Sequence, residues 1–386
     1  MMQHNNTLKI TLTAGFAMFT MFFGSGNLVF PLLIGTQTLS QYPYAIVGLL
    51  ITAVLVPFLG LLGVILYEGN RKSFFANLGK NPAFLLTFMM LALIGPFGVV
   101  ARCLTVAYGG VHLLIPQLPF IPFSLGLCLL IAALIWKRHR VVDILGLVLT
   151  PWKLGGLLIL IISGLWWGLP PMTSSLSGLQ ALTIGLKQGY QTMDLIAAFF
   201  FSATTAYYLR SRLKIDNDPK ALLIVGLKSS LVGASILALV YIGFVSLGAK
   251  YAPILTQTPS EEILAVIAGQ ALGRFAIPIA SLTILIACLA TAVILCTLFA
   301  EFLEHDVSNG KISRSQAIFA TVGIAFVIST LGFNDICRFL EMILEIVYPA
   351  LIVLTLSNIV AKLFNLKQGS LPFWLTLAAS SALKWI

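Results

Sequence analysis

The sequence predicts an all-α integral membrane protein from its composition, its apolar runs and its lack of strand-like alternation. Of the 386 residues, 59% are hydrophobic and 9% are charged, and the mean hydropathy is +1.00. A soluble domain carries about 25% charged residues, so this chain cannot cover a water-exposed surface of its size. The apolar runs reach the roughly 20 residues that a helix needs to cross a bilayer, and they lack the alternation typical of barrel strands.

The apolar runs predict ten or eleven spans. Each is expected to be a helix, because the bilayer core offers the backbone no other hydrogen-bond partner. We expect the spans at residues 8–35, 42–67, 82–111, 120–136, 143–168, 177–208, 221–247, 274–302, 312–331, 336–362 and 370–386. The domains that follow are a first set of five helices (8–168), a second set of five (177–362) and an additional helix (370–386).

The basic residues predict the orientation and account for the net charge of +10. Most Lys and Arg residues fall in loops on the side of the N-terminus, which the positive-inside rule places in the cytoplasm. We expect them to contact membrane lipid headgroups and not nucleic acid. The segment 251–273 is too polar to span and predicts an outer loop with a short amphipathic helix.

Several other functions lack their motifs in this sequence. The chain contains no nucleotide-binding loop of the form GxxxxGK[ST], so neither ATP-driven transport nor an ATPase partner is implied. Its five cysteines form no CxxC pair, which indicates neither a disulfide framework nor a zinc site. No histidine falls in an expected span, which disfavours an intramembrane enzyme. A channel would show rings of polar or charged residues.

The middle of the first span, FFGSGNLVFP, contains residues that destabilise a helix. Gly24, Ser25, Gly26 and Asn27 stand there, ahead of Pro31. A glycine costs about 1 kcal/mol relative to alanine inside a helix. Either the helix is interrupted here, or the glycines allow close helix packing. The two glycines are two residues apart and face different ways, so the pattern favours an interruption.

The sixth span has a matching pattern. Small and polar residues precede its apolar half-helix: Gly189, Tyr190, Gln191, Thr192 and Asp194. The alternative is a span that begins only at Met193, after a loop. Spans one and six each open a set of five, and an odd number of spans inverts the second set. Interrupted segments at corresponding positions predict a transporter site, with free N–H groups for a carboxylate and free carbonyls for a small cation.

Short motifs along the chain carry a family resemblance. FFGSGNLVFP (22–31), IGPFGVVAR (94–102), LTPWK (149–153) and GYQTMD (189–194) occur in this order, with Asp143 ahead of the third. They are similar to FxGAGNxxFP, VGPxxAxPR, LAPLK and GYLTMD of the bacterial branched-chain amino acid:cation symporter family. ACLATA (287–292) is a weaker fifth match. That family resembles the amino acid–polyamine–organocation superfamily.

The resemblance implies a LeuT-like fold, a 5+5 inverted repeat with broken helices 1 and 6, in a bacterial inner membrane. It implies import of Leu, Ile or Val by symport with Na⁺ or H⁺ and no cofactor. Another neutral amino acid such as methionine stays open, because one methylene changes binding by only about 1–3 kcal/mol. The implied substrate-binding residues are Gly24, Ser25, Gly26, Asn27, Gly189, Tyr190, Gln191 and Thr192. The implied cation ligands are Gly24, Asn27, Thr192 and Thr291.

The chain departs from the family pattern at several positions. Leu32 and Ala101 replace prolines, Cys103 and Cys296 replace threonines, and Gly109 replaces a glutamate. Relatives also have twelve spans where about eleven are expected here. The ten core spans are present, so these departures bear on substrate range and ion choice.

Three charged residues within the expected spans are functional candidates, because a charge inside the membrane costs several kcal/mol unless it is paired or hydrated. Arg102 either binds the substrate carboxylate or pairs with Asp194 or a carbonyl. Asp194 either caps the second half of span six or acts in transport. Lys153 is expected to bind carbonyls freed by Pro151, and the resemblance also allows it to replace the cation.

One more charged group stands near the outer end of the tenth span. Arg338, Glu341 and Glu345 follow each other at helical spacing. We expect them to form local salt bridges on one helix face.

Overall fold

Helices form the regular structure throughout the part of the chain that the structure describes. The structure is a computed structural model that describes residues 2–136, 149–213, 218–273 and 276–384. Five stretches are long and apolar enough to cross a membrane, namely Ser25–Leu66, Lys80–His112, Lys220–Ile254, Ala276–Val307 and Phe333–Leu363. Shorter apolar helices accompany them. The all-α class predicted from composition is therefore observed.

The helices are numbered here in chain order. They are α1 (Met2–Phe22), α2 (Ser25–Thr38), α3 (Tyr42–Leu50), α4 (Val56–Leu66), α5 (Arg71–Phe74), α6 (Lys80–Ile94), α7 (Val99–His112), α8 (Phe120–Trp136), α9 (Leu149–Trp167), α10 (Gly178–Tyr190), α11 (Asp194–Leu213), α12 (Pro219–Tyr251), α13 (Ile263–Leu272), α14 (Ala276–Phe302), α15 (Arg314–Ser329), α16 (Phe333–Leu363) and α17 (Leu371–Lys384). A π-helical turn, Ile51–Leu55, joins α3 to α4.

The first expected span consists of two helices, α1 and α2, with Phe23 and Gly24 between them. Gly24 is extended, and its N–H donates to Asn27 Oδ1 at 3.0 Å. This bond satisfies one of the N–H groups that a helix start leaves free. The interruption is therefore shorter than the glycine pattern indicates, because Ser25, Gly26 and Asn27 form the first turn of α2.

The sixth expected span also consists of two helices. Helix α10 starts at a capping box in which the Ser177 hydroxyl accepts the Gln180 N–H at 3.3 Å. Residues 191–193 separate α10 from α11, and Met193 has a φ of 59°, in the left-handed region that large residues rarely adopt. Gly189 and Tyr190 are helical, so the alternative of a loop followed by a span that starts at Met193 is wrong.

The third expected span, residues 82–111, is not one continuous helix. Helix α6 ends at Ile94, α7 begins at Val99, and residues 95–98 form a turn. Pro96 has no N–H to donate and its ring opposes the preceding helical turn. A Cβ on Gly98 would lie 2.1 Å from the Leu93 carbonyl oxygen. The expectation of a continuous helix is wrong here. It was based on the length of the apolar run, whereas the Gly-Pro pair within that run interrupts the helix.

Two pairs of helices pack with their backbones in contact. Helix α2 lies against α12, and α10 lies against α3. The glycines at these contacts are Gly35 and Gly248 for the first pair, and Gly48 and Gly185 for the second. A Cβ on Gly248 or Gly185 would lie 2.0 or 2.1 Å from a carbonyl oxygen of the facing helix. Small residues let membrane helices approach in this way.

The charged residues of α16 do not form the expected mutual salt bridges. Arg338 pairs with Asp335 at 3.5 Å. Glu345 pairs with Lys187 of α10 at 3.0 Å and with Lys384 of α17 at 3.1 Å. Helical spacing predicted a local face, but oppositely charged side chains of neighbouring helices reach Glu345. The pair with Lys384 links α17 to the rest of the bundle.

We expect Gly185→Ala to destabilise the protein by about 1–3 kcal/mol, because the added methyl group overlaps the carbonyl of Ala45 on α3. Gly126 of α8 is the matched control, since no atom lies within 4 Å of its Cβ position. Gly126→Ala should keep or slightly raise the unfolding midpoint. Thermal unfolding of both purified variants in detergent measures the difference, and equal midpoints would contradict the close contact.

Candidate functional site

The interruptions at residues 23–24 and 191–193 lie side by side in the protein interior. A Cβ on Gly26 would lie 3.3 Å from the Gln191 carbonyl oxygen, so the first turn of α2 touches the turn between α10 and α11. Ser25, Asn27 and Thr192 are buried as well. Protein atoms therefore cover the backbone that the interruptions leave outside helices, as they must at membrane depth.

Asn27, Asp194 and Tyr241 form a buried group of hydrogen-bonded side chains, here named the carboxylate cluster. Asn27 Nδ2 donates to Asp194 Oδ2 at 2.9 Å and Oδ1 at 3.2 Å, and it also contacts the Tyr241 hydroxyl. The Tyr241 hydroxyl donates to Asp194 Oδ2 at 2.8 Å. The cluster joins the starts of α2 and α11 to α12. Asp194 is the first residue of α11, and its carboxylate connects three helices through side-chain hydrogen bonds. Its expected capping role stays a prediction.

Arg102, on α7, reaches the turn between α10 and α11. Its Nη1 donates to the Gln191 carbonyl at 2.9 Å, and its Nη2 contacts Met193 Sδ at 3.2 Å. The guanidinium carbon lies 5.2 Å from the centroid of the Phe30 ring. Arg102 is 0% exposed, and its Nε has no hydrogen-bond partner among the described residues.

The two buried charges are separate. Arg102 binds a carbonyl, which was one of the expected alternatives, whereas no ion pair within 4.0 Å joins it to Asp194 in the described ranges. The Asp194 carboxylate accepts hydrogen bonds from the neutral Asn27 and Tyr241 side chains. Because a buried charge without a partner is costly, each group is suited to receive an opposite charge from a ligand.

Helix α16 supports the second interruption. Gln191 Nε2 donates to the Cys337 carbonyl at 3.2 Å. The rings of Tyr190 and Tyr348 have centroids 4.7 Å apart, and the Leu195 N–H donates to the Tyr348 hydroxyl at 3.0 Å. These contacts hold the end of α10 and the start of α11 against one helix.

The sequence reasoning missed Tyr241, Tyr348 and Cys337. The two tyrosines each bring a hydroxyl into a long apolar run, and a buried tyrosine hydroxyl usually has a hydrogen-bond partner. That signal indicates a polar group nearby, but it does not name Asp194 or Leu195 as the partner.

Two of the predicted cation ligands, Gly24 and Thr291, lie next to each other. A Cβ on Gly24 would lie 3.3 Å from Thr291 Oγ1 on α14. The Thr291 hydroxyl donates to the Ala287 carbonyl at 3.0 Å, which leaves the oxygen lone pairs free to accept. Helix α1 ends just before Gly24, so its last carbonyls have no partner within the helix. Neutral oxygens of this kind suit a hard cation.

The other two predicted cation ligands, Asn27 and Thr192, belong to or adjoin the carboxylate cluster. The Thr192 hydroxyl donates to the Gly189 carbonyl at 2.9 Å and lies within hydrogen-bonding reach of the Asp194 carboxylate. The four predicted ligands therefore occupy two positions, one beside α14 and one at Asp194.

The third motif of the resemblance falls partly outside the described residues. Lys153 lies in α9, but its side chain is not among the described parts, and neither is Asp143. The role expected of Lys153 stays a prediction.

The segment 251–273, expected as a loop with a short helix, contains α13 and packs on the end of α7. His112 Nδ1 lies 2.9 Å from Glu262 Oε1, within hydrogen-bonding distance. A Cβ on Gly109 would lie 2.7 Å from the Glu261 carbonyl oxygen. Burial raises the pKa of the Glu261 carboxyl above its ordinary value, and the charge of Glu262 raises it further. The segment thus covers one end of the helix that carries Arg102.

Solved structures of two transporters share the fold of this chain. Mhp1 in its inward-facing conformation is 11% identical, with a TM-score of 0.63 over 90% of this chain and 77% of that chain. A manganese transporter from Eremococcus coleocola is 14% identical, with a TM-score of 0.65 over 97% of this chain and 85% of that one. Both belong to the LeuT-like class of transporter folds.

Relatives identified by sequence are more similar to this chain than the two solved structures are, and they indicate its family. The branched-chain amino acid permease BrnQ of Corynebacterium glutamicum is 30% identical over 367 residues, 93% of this chain and 83% of that protein. The permease BraB of Bacillus subtilis is 27% identical over 94% of this chain and 83% of its own length. BrnQ of Escherichia coli K12 is 27% identical, over 92% of this chain and 82% of that protein.

The match to a family model covers nearly the whole chain. The model is described as a branched-chain amino acid transport protein and matches residues 7–384. It includes both interruptions, the carboxylate cluster and Arg102. The chain therefore belongs to the branched-chain amino acid transport protein family, a family of transporters and not of enzymes.

Proposed function

We propose that the protein imports Leu, Ile or Val by cation symport through alternating access. The observation that carries this proposal is the meeting of two helix interruptions around one buried arginine and one buried carboxylate. A zwitterionic amino acid needs partners for both of its charges, and its companion cation needs oxygen ligands. Family membership narrows the substrate to branched-chain amino acids.

The substrate carboxylate would bind at the start of α2 and at Arg102. The free N–H groups at a helix start attract anions, and Ser25 and Gly26 stand there. Arg102 now donates to the Gln191 carbonyl, a neutral acceptor. A carboxylate is a stronger, charge-assisted acceptor for a guanidinium. Exchanging the Gln191 carbonyl for the substrate carboxylate would therefore contribute favourably to the free energy of binding.

The substrate amine would bind the carbonyls at the end of α10, where Gly189, Tyr190, Gln191 and Thr192 lie. The negative end of the helix dipole favours a cation at this position. The coupling ion, Na⁺ or H⁺, has two candidate positions: the neutral oxygens beside Gly24 and Thr291, and the carboxylate of Asp194 beside Asn27 and Thr192.

The fold supports alternating access by two related halves. We infer a 5+5 inverted repeat of residues 8–168 and 177–362, with α17 as an additional helix. Support comes from the glycine contacts. In such a repeat, spans one and two correspond to spans six and seven, so a contact of span one with seven should have a counterpart between six and two. The α2–α12 contact is the first of these and the α10–α3 contact is the second. The bacterial relatives and the basic loops support a bacterial inner membrane with the N-terminus in the cytoplasm.

Purified protein in liposomes should take up leucine saturably and only while an ion gradient is maintained. Ile and Val should compete with leucine, and methionine serves as the test of a broader neutral substrate range. The same panel run with and without a sodium gradient identifies the ion. Absence of leucine uptake under any sodium or proton gradient would reject the proposed function.

Thr291→Val should lower ion-dependent leucine uptake by about tenfold or more, because the valine lacks the oxygen beside Gly24. Thr297→Val is the matched control, since Thr297 lies on the same helix and donates to Val293 at 2.7 Å in the same way. Equal uptake by the Thr291 and Thr297 variants would argue against a cation at this position.

Asn27→Leu and Thr192→Val should abolish uptake, whereas Thr183→Val on α10 should not.

Arg102→Lys should raise the leucine concentration for half-maximal uptake by about tenfold or more. A lysine keeps the charge but cannot present the planar pair of donors that binds a carboxylate. Lys228→Met, which removes an exposed cation of α12, should leave this concentration unchanged. Unchanged affinity in the Arg102 variant would show that the arginine does not bind substrate.

A further inference from the structure

We propose that Asp194 is a direct ligand of a coupling Na⁺, with Tyr241 as a second ligand, and that Asn27 links this ion to substrate binding. The inference rests on the proposed symport and adds to it the charged ligand, a residue of α12 and a route of coupling. It is carried by the geometry of the carboxylate cluster.

Asp194 is 2% exposed, and its carboxylate receives hydrogen bonds from Asn27 and Tyr241. Both donors are neutral, so they stabilise the charge without cancelling it. Arg102 is occupied by the Gln191 carbonyl, Met193 and Phe30. Arg102 acts on Asp194 only through space, since no ion pair joins them among the described residues, so a bound cation would provide the direct opposite charge that the carboxylate lacks.

The space and the ligand atoms beside Asp194 suit a small ion. Tyr241 is 0% exposed and its hydroxyl contacts both other members of the cluster. The carboxylate is thus enclosed on the α2 and α12 sides by side chains in hydrogen-bond contact with it. A monatomic ion needs only a small rearrangement there, whereas a substrate ammonium brings the rest of the amino acid with it. Carboxylate, hydroxyl and amide oxygens are the ligands that hard cations prefer.

The two polar amide atoms of Asn27 have different partners. Oδ1 accepts the Gly24 N–H at 3.0 Å, while Nδ2 donates to Asp194. To bind the ion, Asn27 must turn its oxygen toward Asp194, and this releases the Gly24 N–H. A free N–H at the start of α2 then becomes a donor for the substrate carboxylate. Ion binding thereby prepares the substrate site, through one side chain.

Coupling of this kind is reciprocal, because the ion and the substrate must raise each other's equilibrium affinity by the same factor. It predicts that Na⁺ lowers the Kd for leucine and that leucine lowers the Kd for Na⁺. It also predicts that both effects disappear when the carboxylate is removed.

The test is equilibrium binding of radioactive ²²Na⁺ and, separately, of labelled leucine to the purified full-length protein in detergent. Asp194→Asn should weaken Na⁺ binding by at least about tenfold and make leucine binding independent of Na⁺. Tyr241→Phe, which removes one oxygen, should weaken Na⁺ binding severalfold, and Asp194→Glu should restore part of it. Asp335→Asn, which alters an exposed carboxylate of α16, should bind both ligands like the unmodified protein.

Three outcomes would overturn the inference. The unmodified protein takes up leucine but binds no Na⁺; or Asp194→Asn binds Na⁺ normally and loses leucine binding even without Na⁺, which would make Asp194 the ligand of the substrate amine; or Tyr241→Phe lowers the unfolding midpoint without changing either affinity, which would make the cluster purely structural. Failure of the proposed function looks different: the unmodified protein would bind no leucine, while Na⁺ binding would still depend on Asp194.

Discussion

The hydrogen bonds between Asn27 and Asp194 connect two helix interruptions that lie 167 residues apart in the chain. A backbone that leaves the helical conformation at membrane depth needs partners that lipid does not provide. Here Asn27 provides hydrogen-bond partners at both interruptions. Its side chain accepts the Gly24 N–H at the start of α2 and donates to the Asp194 carboxylate at the start of α11. The rest of the site is arranged around this contact, since Tyr241 completes it from α12 and α16 supports its far end.

The separation of the two buried charges gives the site its chemical character. If Arg102 and Asp194 formed a direct ion pair, each would neutralise the other and a ligand would have to break that pair. Instead the arginine donates to the backbone of Gln191 and the carboxylate accepts from neutral side chains. Each charged group could therefore exchange its neutral partner for a ligand group of opposite charge. This arrangement supports the proposed binding of a zwitterion and a cation, because buried charges are not needed for stability alone: replacing them by apolar residues is often neutral for stability.

Close backbone contacts place the two interruptions with accuracy. A Cβ on Gly248 or Gly185 would overlap a carbonyl oxygen of the facing helix, so a larger residue at either position must shift the backbone. One contact holds α2 on α12 and the other holds α10 on α3. In the proposed alternating access, these contacts would keep the half-helices aligned with their neighbours while other contacts change. The interruption between α6 and α7 adds a turn directly before the segment that carries Arg102, and the tight fit of Gly98 against Leu93 fixes that turn.

The sequence by itself determined the all-α membrane class and the family and indicated the interruptions of spans one and six, because hydrophobic length, glycine content and short motifs are local properties that do not depend on the fold. It did not predict the interruption at residues 95–98. The glycine pattern could not decide that Asn27 lies inside α2, since that depends on its bond to Gly24. Nor could it show that Gln191 is the partner of Arg102 and Tyr241 that of Asp194. Only the tertiary structure decided these pairings, because the partners lie in different segments of the chain, 89 and 47 residues apart, and packing of the bundle brings them together.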